Sequence, residues 1–151
     1  MRRLLSALAL LLLLQSPASA AGQFDVTARF NSGGNEFDFA QYTEIGSKDK
    51  IAVIGIAIGT QRTSVAFDAK EWGSFAELWQ KAKNIHAATW QPVGTFKETG
   101  TTEAALLTVA AGPGTQFTIA GAKGPFTFVL MPVDYPRFDA AVKQMTDWTA
   151  Q

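Results

Sequence analysis

Two apolar rhythms alternate along the chain. Phe24 to Phe30, Glu36 to Ile45, Ile51 to Ile58 and Thr63 to Asp68 carry apolar residues at period two or as short apolar runs, which predicts four strands. Asn31-Ser32-Gly33-Gly34-Asn35 reads as a hairpin loop between the first two, and Gly46 to Lys50 as a polar turn after the second. The rhythm then changes. Trp72, Phe75, Leu78, Trp79, Ala82 and Ile85 recur at three- and four-residue steps, the stripe of a half-buried helix. The pattern starts this helix around Glu71 to Ser74, with Ser74 and Glu77 as a capping box.

The second half repeats the scheme. Thr89 to Lys97, Ala104 to Ala110, Gln116 to Ala120 and Phe126 to Met131 read as strands. Thr99-Gly100-Thr101-Thr102, Gly112-Pro113-Gly114 and Gly121 to Gly124 read as the turns between them. Pro132 cannot donate to a strand ladder and so ends the last strand. Asp134 is placed to cap a helix with its side chain, and Pro136 fits that helix's first turn. Tyr135, Phe138, Ala141, Val142, Met145 and Trp148 form its apolar stripe. Arg137, Asp139, Lys143, Gln144 and Asp147 fall mostly on the solvent side.

At a spacing of 63 residues Phe75 falls on Phe138, Trp72 on Tyr135, Phe67 on Leu130 and Ile56 on Ile119. The expected fold is therefore α+β: antiparallel sheets with two helices, built as a tandem duplication of a four-strand-plus-helix unit. The pseudo-repeats are about 24–87 and 88–151. They share one core within a single domain, 21–151, because neither alone covers both sides of its sheet. Such tandem units resemble, in architecture and without a shared motif, those of the Whirly and PUR families. That resemblance implies single-stranded nucleic-acid binding as an alternative function. Such binding uses basic grooves, and the chain has no excess of basic residues.

Ahead of the first strand, Arg2 and Arg3, an apolar run from Leu4 to Leu14 and Ala18-Ser19-Ala20 follow the three-part plan of a secretory signal peptide, 1–20. The run is short for a bilayer span, which takes about 20 residues. The expectation is a periplasmic or secreted protein, soluble once the leader is removed. Without Arg2 and Arg3 the 13 basic residues fall to 11 against 13 acidic, a net charge of −2. That charge offers nothing special to nucleic acid or to an anionic membrane. With 0 cysteines the exported fold is held by burial alone.

Candidate chemistry is sparse. His86 is the single histidine, so a zinc site of histidines and cysteines is excluded within one chain. Its place near the end of the first helix suits an interaction with the helix dipole; the alternative is a catalytic base in a scattered site. Ser74 stands in no G-x-S-x-G elbow. Glu36 and Asp38 flank Phe37 and share one face of a strand. They are either a carboxylate pair or simply the solvent face opposite Phe37 and Phe39. Gly112-Pro113-Gly114 precedes a strand, not a helix, and so reads as a turn and not a phosphate loop. Trp90 opens the fifth strand beside Pro92, as a partner or ligand anchor or as cover for the gap between the halves. The function expected is a non-catalytic protein that binds another envelope protein or a small ligand, with no metal and no cofactor. His86, Trp90, Glu36 and Asp38 are its candidate contacts.

Overall fold

The structure, a computed structural model, describes residues 22–98 and 104–151. The expected leader with its cleavage site, and the expected turn Thr99 to Thr102, lie outside the described residues. Two antiparallel four-stranded sheets form, each in sequential order. The first holds β1 (Gly22–Ser32), β2 (Asn35–Glu44), β3 (Lys50–Ile58) and β4 (Gln61–Phe67). Helix α1 (Ala69–Ala82) follows. The second sheet holds β5 (Gln91–Lys97), β6 (Leu106–Ala111), β7 (Thr115–Gly121) and β8 (Gly124–Leu130), and α2 (Tyr135–Thr149) ends the series. The chain is thus α+β, with a repeated four-strand-plus-helix arrangement.

Strand register shows how closely the halves correspond. Ile54 stands opposite Val65 in the first sheet, and Phe117 opposite Phe128 in the second, the same pairing displaced by 63. Each first strand is interrupted by a bulge, between Val26 and Ala28 in β1 and between Pro92 and Gly94 in β5. A bulge inserts one unpaired residue and bends its strand. Both edge strands therefore bend at equivalent places.

The helices are exchanged. α2 lies on β2 and β3 of the first sheet, while α1 lies on β5 and β6 of the second as well as on its own β3 and β4. The main core is filled from both halves, and a smaller cluster of Ala40, Tyr42, Val53 and Ala66 lies on the first sheet's other face. Phe117 stacks on Phe138 at 5.3 Å, and Phe37 and Phe39 from the first sheet reach Phe138 at 5.5 and 5.0 Å. The two buried tryptophans of α1 satisfy their indole N–H groups on α2: Trp72 donates to Thr146 Oγ1 at 3.0 Å and Trp79 to Asp139 Oδ1 at 2.6 Å. Asp139 also accepts from Lys83 at 3.0 Å, so it bridges the helices and does not simply face solvent as the stripe pattern implied.

Both helix starts differ from expectation. α1 begins at Ala69, and its cap is Asp68, whose carboxylate accepts from Lys70 and Glu71 while Glu71 accepts from the Asp68 amide. Ser74 and Glu77 are helix interior, because a true box stands one residue ahead of the first turn. Asp134 makes no capping hydrogen bond with its side chain. Pro132–Asp134 instead form a 3₁₀ turn running straight into α2, which puts Asp134 in a helical conformation, unable to fold its side chain back over the helix end. Among the described residues, no helix is long and apolar enough to cross a membrane.

Candidate functional site

The four sequence candidates divide between the two sheets. Glu36 and Asp38 lie on β2, on the face turned away from the core. Pairing puts Arg29, Asp38, Gly55 and Ser64 in one cross-strand row, and Asn31, Glu36, Ala57 and Arg62 in the next. Arg62 reaches over Gly55 and pairs with Asp38. It also lies 3.5 Å from Glu36, which is 3.6 Å from Arg29. Gly55 is required here: a Cβ would stand 2.7 Å from both the Arg62 guanidinium and the Asp38 carboxylate. Alternation therefore placed both carboxylates on the outer face correctly, but not in solvent, since Asp38 is only 1 % exposed. Burial lowers the pKa of Arg62, an effect that Glu36 opposes. The cluster is two carboxylates matched by two guanidiniums, an arrangement that locks strands together.

The second sheet shows what the duplication did with this row. Its equivalent is Thr95, Thr108, Thr118 and Thr127, where a threonine stands at each position. The Thr118 and Thr127 hydroxyls bond at 2.9 Å. The charged cluster belongs to one half only.

His86 and Trp90 lie in the connection from α1 to β5. α1 ends at Ala82 with Lys83 as its C-cap, so His86 stands beyond the last turn, exposed and without a hydrogen bond among the described residues. Helix-end contacts are instead made by Lys83, whose amide reaches Trp79 O, and by Asn84, which donates to Gln80 O at 2.7 Å. Trp90 immediately precedes β5 and is 40 % exposed. It is not isolated. The backbone of Gly112 passes so close to it that a Cβ would lie 2.9 Å from Thr89 O and 3.2 Å from Trp90 Cα. On the other side of the same turn, a Cβ on Gly114 would lie 2.5 Å from Leu130 O and 3.7 Å from Met131 Cα. The turn is thus wedged between Trp90 and Met131, and only glycines permit that approach. Met131 is 46 % and Val133 84 % exposed, and Pro113 and Pro132 are exposed with them. These exposed apolar residues sit on three chain segments whose backbones meet at one end of the second sheet, and that end is termed the rim.

Trp90 was legible as a strand-edge tryptophan. Met131 and Val133 were not, because a strand-to-helix corner accounts for apolar residues equally well. The sequence also passed over Glu98, which is 3 % exposed. Its carboxylate accepts from the amides of Ala66 at 3.3 Å and Ala105 at 3.4 Å, so it binds the outer edge of β4 to the end of β5. A lone acidic residue at a strand end gives no signal for such burial. Among the described residues no group of three or more His, Cys, Asp or Glu side chains is arranged to hold a metal ion. Neither a comparison with protein-family models nor one with curated proteins finds a match for this chain.

Proposed function

We propose that this protein is exported to the periplasm or secreted, and works there without catalysis by docking a partner protein. The observation that carries the reading is the rim of Trp90, Met131 and Val133 around a turn held by Gly112 and Gly114. Monomeric proteins seldom display clustered large apolar side chains unless the cluster binds something. A tryptophan beside methionine and proline is the composition of an interface anchor. The rim rests on backbone wedged between two chain segments, so it is preorganised and loses little entropy on binding. The charged row on the first sheet gives the reading indirect support, since its carboxylates are engaged by Arg29 and Arg62 and are poorly placed for proton transfer.

The test is purification of the tagged chain from its native host, with mass spectrometry of what accompanies it. The wild type is expected to retain one polypeptide in stoichiometric amount, and the Trp90→Ser, Val133→Asp double variant to lose it while melting unchanged. A polypeptide retained equally by both would remove the rim from the account.

A further inference from the structure

Away from the rim, a shallow, open cleft of about 450 Å³ lies between α2 and β2. Gln41 lines it from β2, and Lys143, Gln144, Asp147, Trp148 and Gln151 line it from the helical side. Gln144 and Trp148 stand one turn apart on one face of α2, and Gln151 follows just beyond the helix end. The side-chain amides of Gln41, Gln144 and Gln151 have no hydrogen-bond partner among the described residues, although Gln41 is half-buried. Each free amide offers two donors and one acceptor. Trp148 is half-buried against the core; its backbone carbonyl accepts from Lys50 Nζ at 2.7 Å, and the same ammonium lies 5.3 Å from its ring centroid. The cleft's own charges cancel, because Lys143 pairs with Asp147 at 2.5 Å.

We propose that this cleft binds an uncharged, polyhydroxylated ligand, a saccharide. Three free amides supply donors and acceptors for hydroxyls, and a half-buried indole supplies an apolar surface for the C–H face of a sugar ring. An anion would meet Lys143 already paired with Asp147 and Lys50 already held at the Trp148 carbonyl. A purely apolar ligand would leave three amides desolvated and unpaired, which is costly. The site is separate from the Trp90 rim, so either can fail without the other.

The experiment is a titration of the ¹⁵N-labelled protein with two uncharged probes, chitotetraose and maltotetraose, and with sodium phosphate as the charged control. The indole N–H resonances are followed. At least one tetrasaccharide is expected to shift the Trp148 indole saturably while the Trp90 indole stays still. Gln144→Ala, an exposed change that leaves the fold intact, is expected to raise the dissociation constant about tenfold, the loss of one good hydrogen bond. Trp90→Ser should leave the titration unaltered. A Trp148 indole unmoved by both tetrasaccharides would overturn the proposal. So would an equal response to phosphate, or a response that Gln144→Ala does not weaken.

Discussion

Glu98 shows how one side chain can set a pH dependence. Its carboxyl is buried, and desolvation raises its pKa above the ordinary carboxylate value; the amides of Ala105 and Ala66 act in the opposite direction, and Glu71 adds to the rise. The folded state therefore holds this proton more tightly than the unfolded chain does. Stability from this group is present at low pH and is lost as pH rises through the raised folded value. Chemical melts should show the wild type gaining stability from neutral to mildly acidic pH relative to Glu98→Gln, which has no proton to lose. Parallel pH profiles for the two would contradict this role. Among individual residues, those fixed by the strand period were readable in advance: Glu36 and Asp38 do share a face. Their partner Arg62 was not, because it stands two strands away on β4 and reaches Asp38 only across Gly55 on the intervening β3.

Among the described residues, the alternating patterns located the eight strands and two helices, with ends displaced by a few residues. The helix starts failed for a definite reason. The expected box is Ser74 with Glu77, although the apolar stripe already begins at Trp72, ahead of that cap, and Asp68 with Glu71 fits the same pattern six residues earlier. Geometry selects the earlier box, since β4 ends at Phe67 and leaves Asp68 extended at the corner. Asp68→Ala should cost about 0.5–2 kcal/mol, the usual value of an N-cap, whereas Ser74→Ala should change stability by less than about 0.5 kcal/mol. Urea melts of the two variants distinguish the boxes, and a larger loss at Ser74 would restore the discarded one. The repeat was faint in sequence for a similar reason. A spacing of 63 aligns β3, β4 and the helices. The stretch from Phe39 to its partner Ile54, however, is longer than that from Val109 to Phe117, which breaks the alignment of the earlier strands.

Over the whole molecule, the exchange of helices binds the halves together. Phe138 of the second half fills the core under Phe37 and Phe39 of the first, and Trp79 of the first donates to Asp139 of the second. Fragments 22–87 and 88–151 should each be largely unfolded alone by circular dichroism, and an equimolar mixture should recover the native spectrum. A fragment that melts cooperatively alone would show that the halves are independent domains. Sequence could suggest one shared core but not the crossing, because an apolar stripe says that a helix is covered and not by which sheet. The rim at Trp90 arises at this same scale, since it forms only where the α1–β5 connection, the β6–β7 turn and the β8–α2 corner meet. Its role as a docking surface is tested most directly by a photo-crosslinking amino acid placed at Val133 in living cells, with Lys97 as a control position. One discrete protein adduct is expected at Val133, absent at Lys97 and lost when Trp90→Ser is added. No adduct at Val133, or one that survives Trp90→Ser, would contradict that role.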